Sequence, residues 1–88
     1  MKIKDGFMLR DVAGFSLVVP INAEASFQGM MRLNGTGKFL WQQLEKEADE
    51  VALVSALCES YDIDEAAAKE DVAAFLLRLD SLGVLEKQ

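Results

Sequence analysis

The sequence predicts an α+β domain in which three short strands precede three helices. Short apolar runs separated by turn residues fill the amino-terminal part of the chain, and apolar residues at helical spacing fill the remainder. With 88 residues, 51% of them hydrophobic, the chain is long enough to build one core and too short for two. We therefore predict a single domain over residues 1–88.

Three apolar runs predict the strands. Residues 7–11 and 15–19 form the first two, and the short connection between them ends in Gly14, which favours a hairpin. Pro20 ends the second strand because proline lacks the N–H that a central strand needs. After a loop of small residues, residues 27–33 form the third strand, which stops at Asn34.

Asn34 leads from the third strand into the first helix. Asparagine is typical of a helix N-cap, whose side-chain oxygen accepts a hydrogen bond from an N–H two or three residues on, here Thr36 or Gly37. The residues that follow place three apolar side chains on one helical face, namely Leu40, Trp41 and Leu44. We expect that face to lie in the core.

The second and third helices follow from apolar spacing and capping residues. Asp49 fits the N-cap of a helix over residues 49–61, with an apolar face of Leu53, Val54, Leu57, Cys58 and Tyr61. Either Asp62 or Asp64 fits the N-cap of the third helix, which ends before Gly83. The apolar residues of that helix follow the helical repeat: Val72, Phe75, Leu76, Leu79 and Leu82.

The charge is unevenly distributed along the chain. The net charge is -6, yet residues 1–44 hold five basic and three acidic residues, whereas residues 45–88 hold four basic and twelve acidic ones. Proteins that bind nucleic acid need clustered Lys and Arg to neutralise phosphates. The acidic helical half therefore argues against a nucleic-acid partner.

Several functional classes lack the residues they require. With no histidine and a single cysteine, Cys58, the usual metal-ligand sets are absent, and no phosphate-binding or dinucleotide-binding glycine motif occurs. We therefore expect no catalytic residue, no metal and no cofactor. No apolar run is long enough to span a bilayer, and Asp5 and Gly6 occupy positions that would be apolar in a secretory signal, so we predict a cytoplasmic protein without a membrane partner.

Four segments resemble one protein family in the right order along the chain. They are GFMLRDVAGFSLVVP at 6–20, F-x-G-x-M-x-LN-x-TG-x-FLW at 27–41, L-x-x-x-L-x-x-x-YD at 53–62 and EDVAAFLLRLDSLGVLE at 70–86. The chain thus resembles the coenzyme PQQ synthesis protein D (PqqD) family, the recognition elements of ribosomally made, modified peptides (RiPPs). Members often carry a glycine between the first two helices, where this chain has residues 45–49, EKEAD, which favours a more helical connection.

The resemblance implies both a fold and a function. The fold is winged-helix-like, with a three-stranded antiparallel sheet followed by a three-helix bundle. The function is that of a peptide chaperone without catalysis, which binds the leader of a precursor peptide and presents it to a modifying enzyme, commonly a radical-SAM protein, in the biosynthesis of pyrroloquinoline quinone (PQQ) or another modified peptide. In the family the leader adds as a further strand beside the third strand, in a groove lined by the third helix.

From that resemblance we expect the peptide-binding residues on the third strand and the third helix. The strand contributes Gln28, Met30, Met31, Arg32 and Leu33, and the helix contributes Lys69, Val72 and Leu76. Alternation places only one of the two methionines on the groove side, and we leave open which one. Arg32 is predicted to pair with an acidic leader side chain. Exposed strand edges also permit pairing between two copies, so a homodimer is a further expectation.

Two alternatives are weaker. A winged-helix DNA-binding regulator would share the architecture, but the third helix offers Lys69 and Arg78 against four acidic residues, which disfavours phosphate contacts. The triplet of Asp80, Ser81 and Leu82 matches the attachment site of acyl carrier proteins. In carriers that serine begins a helix near the middle of the chain, whereas Ser81 lies at the end of the last helix.

Overall fold

A computed structural model describes residues 1–21 and 31–86 of this chain. The elements in chain order are β1 (Lys2–Ile3), β2 (Phe7–Val12), β3 (Phe15–Pro20), β4 (Met31–Leu33), α1 (Gly35–Leu44), α2 (Glu50–Tyr61), α3 (Glu65–Ser81) and β5 (Leu85–Glu86). The predicted α+β fold, with a three-stranded antiparallel sheet followed by three helices, is confirmed. The winged-helix likeness itself stays a prediction.

The main sheet has the strand order β2-β3-β4, and both pairings are antiparallel. Val12 pairs directly with Phe15, which leaves a two-residue turn of Ala13 and Gly14. Both turn residues have positive φ, 52° and 83°, as the tightest hairpin turns require, so the glycine predicts this turn correctly. The hairpin aligns the inner faces of β2 and β3 beneath the helices.

β4 lies at one edge of this sheet. It pairs only with β3 among the described strands, with Arg32 opposite Leu17 and Met31 opposite Val18. Residues 31–33 of the predicted third strand are confirmed, while residues 27–30 lie outside the described part of the chain. The short strand therefore keeps one edge without a strand partner among the described residues.

A second sheet of two strands joins the two ends of the described chain. β1 pairs antiparallel with β5, so that Lys2 lies opposite Glu86 and Ile3 opposite Leu85. The Lys4 N–H extends the pairing by donating to the Val84 carbonyl at 2.9 Å. The sequence analysis missed this sheet because two-residue strands have no readable periodicity.

All three helices begin at capping residues that the sequence predicts. The carboxylate or amide oxygens of Asn34, Asp49 and Asp64 each accept a hydrogen bond from the N–H three residues on, at 2.7 to 2.8 Å. Asp64, rather than Asp62, is therefore the cap of α3. Asp62 instead ends α2 in the left-handed conformation, with φ of 50°.

α3 ends where Gly83 predicts. Gly83 has φ of 73°, and its N–H donates to the Asp80 carbonyl at 3.0 Å, while the Val84 N–H donates to the Leu79 carbonyl at 3.1 Å. These two bonds define a Schellman motif, which satisfies carbonyls that the helix leaves free. The motif reverses the chain and delivers Leu85 to β1.

The prediction of a helical connection at residues 45–49 is wrong. α1 ends at Leu44 and α2 begins at Glu50. The amino terminus occupies backbone groups that a helix would use: the Ala48 N–H donates to the Met1 carbonyl at 3.0 Å, and the Ala48 carbonyl accepts from the Met1 ammonium group at 3.3 Å. The ammonium group also forms an ion pair with the Glu47 side chain. Because these contacts are distant in sequence, the composition of the segment does not reveal them.

The core lies between the inner face of the main sheet and the three helices. Val18 of the sheet is fully buried, and the helices contribute most of the apolar faces that their spacing predicts. Those buried helical residues are Leu40, Trp41, Leu44, Leu53, Val54, Leu57, Ala68, Val72, Phe75, Leu76 and Leu79. Cys58 and Leu82 are only partly buried, and Tyr61 is 41% exposed, with its hydroxyl donating to the Gly35 carbonyl outside the core. Every buried side chain among the described residues is apolar. None of the described helices is long and apolar enough to cross a membrane.

Candidate functional site

A cleft of about 320 Å³ lies between β4, the start of α1 and one face of α3. Two parts of the fold form this cleft. One is the junction that leads from β4 into α1, and the other is the side of α3 that faces this junction. Its lining residues are Leu33, Asn34, Thr36, Gly37, Leu40, Asp71, Ala74, Phe75 and Arg78. The cleft thus combines an apolar floor with two charged side chains.

The capping motif of α1 shapes one wall of the cleft. Oδ1 of Asn34 accepts from the Gly37 N–H at 2.7 Å and from the Thr36 hydroxyl at 3.1 Å. A Cβ at Gly37 would lie 3.1 Å from that oxygen and 3.5 Å from Phe75 of α3. The missing side chain therefore leaves room for the Asn34 cap, while the approach of Phe75 would tolerate a Cβ. Sequence analysis assigned Asn34 and Gly37 to this structural role.

The opposite end of the cleft contains the free edge of β4. Nη2 of Arg78 donates to the Arg32 carbonyl at 3.2 Å, so this carbonyl is accessible from α3. In an antiparallel strand the N–H and C=O of one residue point to the same side, and consecutive residues alternate. We therefore expect the Arg32 N–H to point away from β3 as well, which leaves it available to an added strand.

Asp71 and Arg78 lie at the two ends of the α3 wall. They are seven residues apart, about two helical turns or 10.5 Å, so they share one face of the helix. Phe75 lies between them and Leu33 and Leu40 lie opposite, all three buried. The arrangement suits an extended peptide with an apolar side chain between two polar ones.

Arg32 does not reach this cleft with its side chain. Its guanidinium group lies 4.0 Å from the centre of the Phe15 ring, in a cation–π contact on the outer face of the sheet. The flanking residues Met31 and Leu33 point inward and are 4% and 5% exposed. The predicted pairing of Arg32 with an acidic leader side chain therefore stays a prediction, and the cleft offers Arg78 in its place.

The other predicted site residues divide between core and surface. Leu33 lines the cleft, whereas Met31, Val72 and Leu76 are buried in the core. Gln28 and Met30 lie outside the described residues. Of the two methionines, Met31 faces the core and not open solvent, and its contact with a peptide stays a prediction.

Lys69 lies on a different side of α3. It forms an ion pair with Glu65 at 3.2 Å and lines a groove of about 870 Å³ between α2 and α3. We call this the α2–α3 groove, and its other lining residues are Glu50, Val51, Val54, Ser55, Cys58, Glu59, Ile63 and Glu65. Although it is larger than the cleft, two helices form it, so it offers no strand edge for main-chain hydrogen bonds.

Four residues of α3 line the cleft: Asp71, Ala74, Phe75 and Arg78. Phe75 belongs to the apolar stripe of α3, which the sequence predicts as core with one or two members in the groove wall, whereas Asp71, Ala74 and Arg78 were not predicted as site residues. The four residues follow the i, i+3, i+4, i+7 spacing of a helical face, just as the core residues do. The helical spacing of the cleft residues is therefore visible in the sequence. It begins one position before the core stripe that contains Val72 and Leu79. The direction from which β4 approaches α3 decides which flank becomes the cleft, and the sequence pattern does not contain that information.

An exposed ion pair fixes α1 against the sheet near this site. Nζ of Lys38 lies 2.8 Å from Oδ2 of Asp11, and the Ser16 hydroxyl donates to the same carboxylate at 2.9 Å. The hydrogen bond from Lys38 and then that from Ser16 hold the pKa of Asp11 below its ordinary value of 3.8. This contact joins β2, β3 and α1 outside the core.

The described residues contain no cluster of three or more His, Cys, Asp or Glu side chains that could hold a metal ion. Asp71 and Arg78 in the cleft are solvent-exposed and separated by two helical turns, so neither is placed to act on the other in proton transfer. The chemistry that this arrangement supports is hydrogen bonding and apolar contact with an extended chain.

Residues 18–85 match the family described as coenzyme PQQ synthesis protein D (PqqD). The fold is similar to that of TbiB1 in complex with the TbiA(beta) leader peptide, with a TM-score of 0.79 and 23% sequence identity over 100% of this chain and 98% of that chain. It is also similar to lasso peptide synthetase B1 complexed with the leader peptide, with a TM-score of 0.76 and 15% identity over 98% and 96% of the two chains. No curated protein sequence matches this chain significantly. At these identities the structural likeness establishes a shared fold.

Proposed function

This chain belongs to the coenzyme PQQ synthesis protein D (PqqD) family, and from that premise we propose that it binds the leader of a ribosomally made precursor peptide. The leader adds to the free edge of β4 and fills the cleft between β4 and α3. The protein then presents the rest of the peptide to a modifying enzyme, with a radical-SAM enzyme as the expected class. The protein itself takes no part in the chemistry.

The observation that carries this proposal is the edge of β4 beside the cleft. An edge strand offers N–H and C=O groups to an added strand, and pockets beside the edge select alternate side chains. β4 has such an edge in the described structure, and Leu33, Leu40 and Phe75 provide an apolar surface next to it. The two proteins of similar fold were both solved with leader peptides, which supports a leader as the ligand here.

The same edge would also serve pairing between two copies of the chain. Both modes use the outward N–H and C=O groups of β4, so they exclude each other. A homodimer that forms in this way should therefore dissociate when peptide binds. Size-exclusion chromatography with and without bound peptide measures this competition.

The proposal is tested by selecting binders from an mRNA-displayed library of random linear peptides. We expect the enriched peptides to protect the Arg32 amide from hydrogen exchange when they bind. Ala74→Arg, which fills the cleft, should weaken their affinity about tenfold or more. Ser55→Arg is the matched control, because Ser55 is an exposed helical residue that lines the α2–α3 groove instead.

Two outcomes would contradict the proposed function. One is a library that yields no enriched peptide with the folded protein. The other is a set of binders whose affinity falls with Ser55→Arg and is unchanged by Ala74→Arg, which would place peptide binding in the α2–α3 groove. Circular dichroism spectra of both variants confirm that each retains the fold before affinities are compared.

A further inference from the structure

Arg78 lines the cleft beside the free edge of β4, where a peptide that pairs with this edge would contact it. Its guanidinium group donates through Nη2 to the Arg32 carbonyl on the free edge of β4. A guanidinium group carries five N–H donors, and this bond uses one of them. Among the described residues Arg78 forms no ion pair, and Asp71, at the other end of the cleft wall, forms none either.

The carbonyl that Arg78 now contacts is one that an added strand would need. In antiparallel pairing, an outward carbonyl of the edge residue accepts an N–H from the new strand. When a peptide supplies that donor, the Arg78 guanidinium is displaced from the carbonyl yet remains beside the peptide. Its best available partner is then a carboxylate, because charge-assisted bonds between Arg and carboxylates are roughly twice as strong as neutral ones.

Resting on the proposed function, we propose that Arg78 and Asp71 select the leader by charge. The preferred leader places an acidic side chain next to Arg78 and a basic side chain next to Asp71, with an apolar side chain between them on Phe75. This assigns to Arg78 the role that the sequence predicts for Arg32, whose guanidinium lies over Phe15 on the other face of the sheet.

The spacing of the two charges sets the spacing of the leader side chains. Asp71 and Arg78 are about 10.5 Å apart along α3, and an extended peptide advances about 3.3 Å per residue. Side chains on one face of an extended peptide recur every second residue, so three in a row span about 13 Å, close to the separation of the two charges. The acidic and basic side chains should therefore lie four residues apart in the leader, with the apolar side chain midway between them. α3 runs antiparallel to β4. Arg78, the later residue of α3, contacts Arg32 of β4, and Phe75, the earlier one, lies beside Gly37, which follows β4.

The experiment repeats the peptide selection with charge-reversed variants. Peptides selected with the native protein should be enriched in Asp or Glu at one position, and those selected with Arg78→Glu should carry Lys or Arg at that position. Asp71→Lys should reverse the preference at the basic position. The matched control is Lys46→Glu, which makes the same charge change as Arg78→Glu at an exposed residue between α1 and α2 that does not line the cleft. Its selected peptides should match those of the native protein.

The affinities of individual peptides provide a second readout. A peptide selected with the native protein should bind Arg78→Glu about tenfold or more weakly, and replacing its acidic residue by Lys should restore binding. Arg78→Gln keeps a donor for the Arg32 carbonyl while removing the charge, so it should bind the acidic and the Lys peptides about equally. If Arg78→Glu does not fold, Arg78→Gln alone tests whether the charge at residue 78 sets the peptide preference.

The outcomes separate this inference from the proposed function. Peptides that bind the cleft with no charge preference, or with the same preference in the native, Arg78→Glu and Arg78→Gln proteins, would overturn the role of Arg78 and leave leader binding intact. A library that yields no binder to the native protein would instead contradict the proposed function itself.

Discussion

α3 forms a wall of two concavities that differ in what they offer a ligand. The cleft beside β4 has a volume of about 320 Å³ and includes a strand edge, whereas the α2–α3 groove has about 870 Å³ and is formed by two helices. Within helices the backbone groups bond to each other, so the larger groove offers only side chains. Under the proposed function, the free backbone groups of β4 therefore favour the smaller cleft over the larger groove as the peptide site.

The two concavities also differ in charge. The α2–α3 groove is lined by three glutamates and by Lys69, whose ammonium group is already paired with Glu65. The cleft instead holds one basic and one acidic residue, Arg78 and Asp71, at opposite ends. A groove of one sign attracts oppositely charged partners in general, whereas two separated charges of opposite sign also fix direction and register. The cleft is the more selective of the two surfaces.

The largest expected effect is on the free energy of unfolding, and it distinguishes the core side of α3 from its cleft side. Phe75 and Leu76 are neighbours and are both 9% exposed, but only Phe75 lines the cleft. Leu76→Ala should lower the free energy of unfolding by about 2 to 5 kcal/mol, measured by urea denaturation, while the folded protein keeps its peptide affinity. Phe75→Leu should cost less than about 1.5 kcal/mol and weaken peptide binding. A near-neutral Leu76→Ala variant would mark Leu76 as part of a binding surface rather than core.

The next effect tests the strand edge directly. Arg32→Pro removes an N–H that points away from β3, so the β3–β4 pairing remains while the added strand loses a donor. Peptide affinity, measured by fluorescence anisotropy, should fall about tenfold or more. Arg32→Ala keeps the N–H and loses only the Phe15 contact, so it should bind normally. Equal binding by Arg32→Pro and Arg32→Ala would mean that the edge is not used.

A pair of glycines tests how tightly the Asn34 cap fits against the start of α1. Gly35→Ala places its Cβ in open space and should stabilise the protein by about 0.4 to 1 kcal/mol, because alanine loses less backbone entropy on folding. Gly37→Ala places its Cβ 3.1 Å from Oδ1 of Asn34 and disturbs the N-cap, which is itself worth about 1 kcal/mol. Thermal denaturation should show Gly37→Ala as the less stable variant by about 1 kcal/mol or more. Equal stabilities would show that the cap adjusts freely.

The smallest effect concerns the Lys38–Asp11 pair, which lies in neither concavity. Because folding lowers the pKa of Asp11 below 3.8, this carboxylate stabilises the fold fully above that pH and loses its contribution as the pH falls through the folded pKa. Lys38→Met should raise the pKa of Asp11 towards 3.8 and make acid unfolding less steep in that range, without changing peptide affinity. Lys46→Met, which changes the charge equally away from Asp11, is the control. A lower peptide affinity in Lys38→Met alone would extend the binding site onto β2.

The parts of the fold that depend on neighbouring residues were predictable. Asn34, Asp49 and Gly83 each mark a helix end through bonds that reach only a few residues, so sequence alone identifies them. The hairpin turn at Gly14 belongs to the same class. Long-range contacts were not predictable in this way: the β1–β5 pairing and the contacts of Met1 with residues 47 and 48 appear only when the chain ends meet.

The sequence predicted part of the candidate cleft. The junction at Asn34 and the strand before it were both identified from the sequence, and Leu33 lines the cleft. On α3 the predicted residues Val72 and Leu76 are buried, and the cleft is lined by the adjacent face, which carries Arg78. Peptide contact at all of these residues stays a prediction. A helical repeat identifies the buried stripe, and only the packing of α3 against β4 shows which adjacent stripe borders the edge.

The pairing of β1 with β5 makes the two ends of this fold neighbours. Lys2 lies opposite Glu86, so a chain that enters the domain at one end leaves it at nearly the same point. A domain of this topology can be grafted into a surface loop of another protein without forcing the two sides of that loop apart. Neither strand of this pair belongs to the main sheet, so a host protein joined at β1 and β5 could leave the free edge of β4 uncovered.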